Sequence, residues 1–151
     1  MTDLLTLHHL LKELKLQGMA NALERILKKA EKQGLSIQET MHDLLIEEKK
    51  HKQERSMHYR IHQAKLPFAW TLETFPFRQK PSINKTQIMT LAGLEFVQRG
   101  DNIVFIGEPG TGKTGLALSL LRKALVQGYR GKFYKVQDLL DELYASLADR
   151  T

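Results

Sequence analysis

The chain has 151 residues, 42% hydrophobic and 26% charged, an ordinary globular balance that leaves room for one domain or two small ones. It has no cysteine, which excludes disulfides and thiolate metal sites and fits a reducing cytosol, and no apolar run approaches the ~20 residues of a membrane span. A net charge of +6 and a pI of about 9.6 point mildly to a polyanionic partner, nucleic acid first.

The opening Met1-Thr2-Asp3-Leu4-Leu5 has no basic n-region, so no signal peptide is expected and the cytoplasm is the expected compartment. Leu4, Leu7, Leu11 and Leu14 recur at helical spacing and predict a first helix, with Gly18 as the break after it. Met19, Leu23, Ile26, Leu27 and Ala30 form the face of a second, which ends at Lys32 and Gly34. Ser36-Ile37-Gln38-Glu39 has the form of a capping box and opens a third helix that extends toward Ala64 before Pro67 stops it. Three amphipathic helices can bury their stripes against one another, which predicts a small helical domain over residues 1–66.

The second half of that third helix is basic: Lys49, Lys50, Lys52, Arg55, Arg60 and Lys65 against Glu47, Glu48 and Glu54. Two readings stand side by side. The helix edge follows a phosphate backbone, with Lys49, Lys50, Lys52, Arg55 and Arg60 as the DNA contacts. Alternatively it is a solvated face laced with Glu–Lys pairs. All six histidines (His8, His9, His42, His51, His58, His62) fall within the first 62 residues, but no HxxxH pair with an acidic third ligand appears, so they are read as solvated helix-face residues.

Residues 67–86 read as a linker, broken by Pro67, Pro76 and Pro81, whose aromatics Phe68, Trp70, Phe75 and Phe77 are expected to pin it onto a neighbouring domain rather than to stack bases. A helix is expected over 86–99, with Ile88, Leu91, Leu94 and Val97 on one stripe. Asn102-Ile103-Val104-Phe105-Ile106 then reads as a buried strand, 115–126 as a helix, Lys132-Phe133-Tyr134-Lys135-Val136 as a second strand, and 138–148 as a last helix with Leu139, Leu140, Leu143 and Leu147 inward. The expected fold class is therefore α plus α/β: a helical domain, a linker, and over 87–151 the first part of a P-loop parallel-sheet domain.

Between the first strand and its helix lies Gly107-Glu108-Pro109-Gly110-Thr111-Gly112-Lys113-Thr114, the pattern G-x-x-x-x-G-K-T. Glycines free the backbone to wrap its N–H groups around phosphates. The helix N-terminus adds partial positive charge, and Lys113 adds a point charge for the β- and γ-oxygens of ATP. Thr114 is the expected protein ligand of Mg²⁺, and Gly115 completes the candidate cofactor-binding set 107–115. The catalytic residues are not legible.

Phe75-Pro76-Phe77, Pro81-Ser82, Leu91-Ala92-Gly93 and Phe96-Val97-Gln98-Arg99-Gly100-Asp101-Asn102, leading into the P-loop, resemble an IstB-type transposition helper ATPase, related to the DnaC helicase loader within the AAA+ class. Leu11-Lys12-Glu13-Leu14-Lys15-Leu16-Gln17-Gly18-Met19 resembles the start of that family, and Gly128-Tyr129-Arg130 with Asp138-Leu139-Leu140-Asp141-Glu142-Leu143 continues the likeness. The resemblance implies an ATP-dependent, DNA-binding protein that forms a homo-oligomer when full length and serves a transposase, or a helicase in the loader alternative. One departure is Gly115, where the family often carries histidine; a small loss of helix propensity is expected from it.

A larger departure is the acidic motif that holds Mg²⁺ and orients water in this class. Leu139-Leu140-Asp141-Glu142 and Leu44-Leu45-Ile46-Glu47-Glu48 both sit in helical patterns and are rejected as that motif. The resemblance places its strand between the two strands read here, so the chain is expected to be an N-terminal fragment that binds nucleotide and hydrolyses little. A non-enzymatic DNA- or partner-binding module with a remnant P-loop is the alternative from another class.

Overall fold

The computed structural model describes residues 3–148; Met1 and Thr2 of the domain expected at 1–66, and the last three residues of that expected at 87–151, lie outside these. The described residues form seven α-helices and one 3₁₀ turn: α1 (Leu4–Glu13), α2 (Gln17–Gln33), α3 (Ile37–Gln63), the turn Phe77–Gln79, α4 (Lys85–Leu91), α5 (Glu95–Arg99), α6 (Lys113–Val126) and α7 (Val136–Ala148). The chain divides into two compact units, Met1–His58 and Tyr59–Thr151.

In the first unit the stripe of α2 is buried largely as its spacing predicts, whereas of the α1 stripe only Leu11 packs on the core, Leu4, Leu7 and Leu14 remaining exposed. Met19, Ala22, Leu23 and Ile26 of α2 and Leu44 of α3 form the buried core, with Leu11, Leu16 and Leu27 packed against it. Ser36 and Glu39 form the capping box at the start of α3: Ser36 N–H and Oγ donate to Glu39 Oε2 at 2.8 Å each, and Glu39 N–H returns to Ser36 Oγ at 3.2 Å. Those bonds hold the Glu39 carboxyl below its ordinary value.

Gly18 is not the break after α1. The turn falls at Leu14–Leu16, where Lys15 takes a left-handed φ of 57°, and Gly18 is a buried residue of α2. It is there because α3 passes too close for a side chain. A Cβ on Gly18 would lie 2.7 Å from Glu47 O, Glu48 Cα and His51 Cβ. The same crossing brings Glu48, a buried carboxylate, onto the N-terminus of α2, where Oε2 accepts the Met19 N–H at 3.0 Å. This interhelical cap stands in for the local one that Leu16 lacks. No hydrogen bond reaches Glu48 Oε1; Lys52 Nζ, 3.6 Å away, neutralises it.

In the second unit the expected parallel sheet is absent. Among the described residues no strand forms, and the fold is all-helical rather than α plus α/β. The reason is that a strand exists only in a ladder. No ladder joins residues 102–106 and 132–136; the run 132–136 instead donates one backbone bond, Phe133 N–H, to Ala64 O at the end of α3, at 2.8 Å. The period-two alternation of the first run survives without a sheet. Ile103 and Phe105 pack on the core, while Val104 and Ile106 are 78% and 92% exposed.

Two further expectations change here. The helix read over 86–99 is broken into α4 and α5 at Leu94, which takes a left-handed φ of 63° and is fully buried, so burial of its side chain overrides the stripe. The leucines of α7 are not inward. Leu139, Leu140, Leu143 and Leu147 all remain exposed, and no residue of the helix is buried. The unit's core is instead Leu72, Phe75, Ile88, Ala92, Leu116 and Leu120, so two of its six members come from the linker.

Candidate nucleotide site and basic helix

The loop 107–112 is shaped by three glycines at positive φ: Gly107 at 152°, Gly110 at 77° and Gly112 at 98°. Between them Thr111 closes a turn on Glu108, its Oγ1 donating to Glu108 O at 2.8 Å and its N–H at 3.4 Å. Helix α6 then begins at Lys113 with Gly112 as N-cap and no side-chain cap, so its first N–H groups have no acceptor from the capping side chain. Lys113 folds back over the loop: Nζ donates to Gly107 O at 2.7 Å and Glu108 O at 2.8 Å. It has no carboxylate partner among the described residues. Thr114 is exposed one position on.

The linker supports this loop from below. A Cβ on Gly112 would lie 2.9 Å from Phe75 Cζ, and one on Gly115 would lie 3.2 Å from Phe75 Cε2. The Phe75 ring is itself wedged by Trp70 and Phe77, at centroid distances of 6.2 Å and 4.8 Å. Gly115 is therefore a packing residue as well as a helix residue, a role its propensity alone does not show. Beside the loop a groove of about 500 Å³ is lined by Ile83, Ile88, Leu91, Phe105 and Ile106 together with Gly107, Glu108, Thr111 and Lys113. Lys80 Nζ also reaches the loop, donating to Gly110 O at 2.7 Å. Sequence reasoning missed it, because nothing in a lone lysine 30 positions upstream signals the contact.

The five basic residues of α3 separate. Lys49 and Arg55 are exposed and have no ion pair among the described residues. Lys50 pairs with Glu47 at 3.1 Å, and Lys52 serves the buried Glu48. Arg60 lies in the second unit, where its Nε donates to Leu125 O near the C-terminus of α6 at 2.8 Å. The rejected acidic pair of α7 is occupied structurally. Glu142 accepts the Tyr134 hydroxyl at 2.7 Å and pairs with Lys132 at 3.1 Å, and these hold its carboxyl below the ordinary value; Asp141 accepts from Gln137 at 3.2 Å.

A family model described as IstB-like ATP binding protein matches residues 9–150. The chain belongs to this family. A relative named as an ATP-binding protein of insertion sequence IS21, from Pseudomonas aeruginosa, is 38% identical over 138 residues, 91% of this chain and 51% of the relative. One named for insertion sequence IS5376, from Geobacillus stearothermophilus, is 36% identical over 137 residues, 91% of this chain and 55% of the relative. A third, named as IS21-like and from Bacteroides fragilis, is 30% identical over 128 residues, 85% of this chain and 64% of its own length. The chain thus spans about half the length of the first two IstB-like relatives. The family match runs through the helical unit and the linker as well as the P-loop. No helix among the described residues is long and apolar enough to cross a membrane.

Proposed function

We propose that this chain is the nucleotide-binding part of a cytoplasmic, DNA-associated helper of insertion-sequence transposition, holding ATP with Mg²⁺ on residues 107–115. The observation that carries the proposal is the loop itself. Three glycines at positive φ lead into an uncapped helix N-terminus, beneath a lysine whose ammonium rests only on loop carbonyls. Those are the donors and the charge that a polyphosphate needs, and they fit it. Lys113 exchanges its carbonyl partners for phosphate oxygens, the first N–H groups of α6 take others, and the exposed Thr114 hydroxyl is the protein ligand for Mg²⁺. The metal, when bound, neutralises phosphate charge.

DNA contact is proposed for the exposed edge of α3, carried by Lys49 and Arg55, with Lys50 available at the cost of its pairing to Glu47. The partners of the whole protein are proposed to be a transposase, or a helicase in the loader reading, and further copies of itself.

The test is titration with a fluorescent ATP analogue and Mg²⁺, with Lys113→Ala as the comparison. Saturable binding lost in the variant is the expected result; equal binding by both would refute the phosphate site. DNA binding is tested separately with Lys49→Gln/Arg55→Gln. Weaker affinity and a shallower salt dependence are expected, and an unchanged salt slope would return this edge to a solvated face.

A further inference from the structure

We propose that Lys80 is a positioning residue of the nucleotide site, holding the tip of the loop at Gly110 in the conformation that accepts phosphate. The proposal rests on the reading of residues 107–115 as a phosphate site and adds to it a residue outside the G-x-x-x-x-G-K-T pattern.

The tip of the loop has little else to hold it. Gly110 has a φ of 77°, and a Cβ built on it would meet nothing within 4 Å, so the tip is not packed. Within the loop the bonds given to the turn are those of Thr111 to Glu108 O, one of them long at 3.4 Å. From outside, Lys80 Nζ supplies a charge-assisted bond to Gly110 O at 2.7 Å. A peptide group is planar and no cis bond occurs here, so the Gly110 carbonyl and the Thr111 N–H point in opposite directions. Fixing the carbonyl on one side fixes the N–H donor on the other. Lys80 therefore helps hold, without touching the ligand, the peptide whose N–H makes only the long 3.4 Å bond to Glu108 O and can exchange it for a phosphate oxygen.

The base of Lys80 is rigid enough for this. Its own N–H donates to Phe77 O at 3.1 Å, and its carbonyl accepts from Ile83 N–H at 3.0 Å. The Phe77 ring packs at a tilt of 60° against Phe75, whose ring lies against Gly112 and Gly115. The linker thus touches the loop twice, with an apolar ring beneath Gly112 and an ammonium on Gly110. A surface lysine held at both ends loses rotamer freedom that a solvated one keeps, so the contact needs a compensating geometry, and the linker provides it.

The experiment uses the whole chain with Lys80→Met, which keeps most of the stem, Lys80→Arg, which keeps a donor, and Lys113→Ala. Affinity and stoichiometry are read by titration with a fluorescent ATP analogue and Mg²⁺, and the Thr111 amide is followed by NMR without nucleotide. Lys80→Met is expected to bind about five- to tenfold more weakly at unchanged stoichiometry, with a shifted Thr111 resonance, and Lys80→Arg to recover most of both. Wild-type affinity in Lys80→Met, with binding abolished in Lys113→Ala, overturns the role of Lys80 and leaves the phosphate site standing. A reduced stoichiometry at unchanged affinity also overturns it, because Lys80 would then serve folding alone. No saturable binding by the wild type overturns the phosphate site, and the role of Lys80 with it.

Discussion

Each unit is organised around a glycine that a neighbour presses upon, but the neighbours differ. At Gly18, in the first unit, the obstructing atoms include the backbone of α3: Glu47 O and Glu48 Cα would both lie 2.7 Å from a Cβ. At Gly112, in the second, the obstruction is the ring of Phe75, 2.9 Å away. Backbone in a helix cannot yield without moving the helix, whereas a ring can tilt. The first contact fixes a crossing between helices; the second supports the loop 107–112, for which phosphate binding is proposed. The same contrast runs through the polar groups. Glu48 is buried and committed to the α2 N-terminus, while Lys113 rests on carbonyls that it can leave.

The sharpest test of this contrast removes the ring. Phe75→Ala deletes a buried core member and the support of Gly112 and Gly115 together, and is expected to cost the second unit about 3–5 kcal/mol. Thermal unfolding followed by tryptophan fluorescence reads it, because Trp70 lies 6.2 Å from the Phe75 ring. An unchanged midpoint would mean that the linker is not part of the core.

Gly18→Ala comes next. Overpacking against backbone is expected to cost about 1–3 kcal/mol, partly offset by the roughly 1 kcal/mol of added helix propensity. The loss should appear in the thermal unfolding of the whole chain followed by circular dichroism, and a gain in stability would erase the distinction between the two glycines.

Arg60→Met separates folding from DNA contact. Losing the bond to Leu125 O at the end of α6 should cost about 1–2 kcal/mol, measured by denaturant titration, and leave DNA affinity within twofold of the wild type. A loss of DNA affinity with full stability would put Arg60 back on the DNA edge.

The smallest effect is that of acid. Glu39 is held low by its hydrogen bonds from Ser36 and Glu142 by that from Tyr134. A carboxyl whose folded value is depressed contributes stability above its unfolded value, and that contribution disappears as pH falls through the folded one. Both units should therefore lose stability below about pH 4.5, the ordinary glutamate value, and lose it less in Ser36→Ala and Tyr134→Phe. A melting temperature flat from pH 6 to pH 3 would remove these carboxyls from the balance.

Much of the first unit was legible, because helices are local. The stripe of α2 names its own buried face, and Ser36 and Glu39 lie three apart in sequence and meet in space. The pattern over 107–114 was legible for a related reason: its glycines, lysine and threonine lie within eight residues. What failed was what depends on distant partners. The runs 102–106 and 132–136 have strand composition, yet strand formation needs a second segment to complete the hydrogen bonds, and composition cannot supply one.

The sequence by itself determined the family, the phosphate-loop pattern and the helices that close on their own periodicity. Only tertiary structure decided that Gly18 is a crossing point rather than a break, that Lys52 and Arg60 are committed to Glu48 and Leu125, and that Phe75 and Lys80 brace the loop. The physical reason is range. Dihedral preference and periodicity act over a few residues, whereas a buried carboxylate, a wedged ring or a lysine on a carbonyl takes its meaning from a partner tens of residues away.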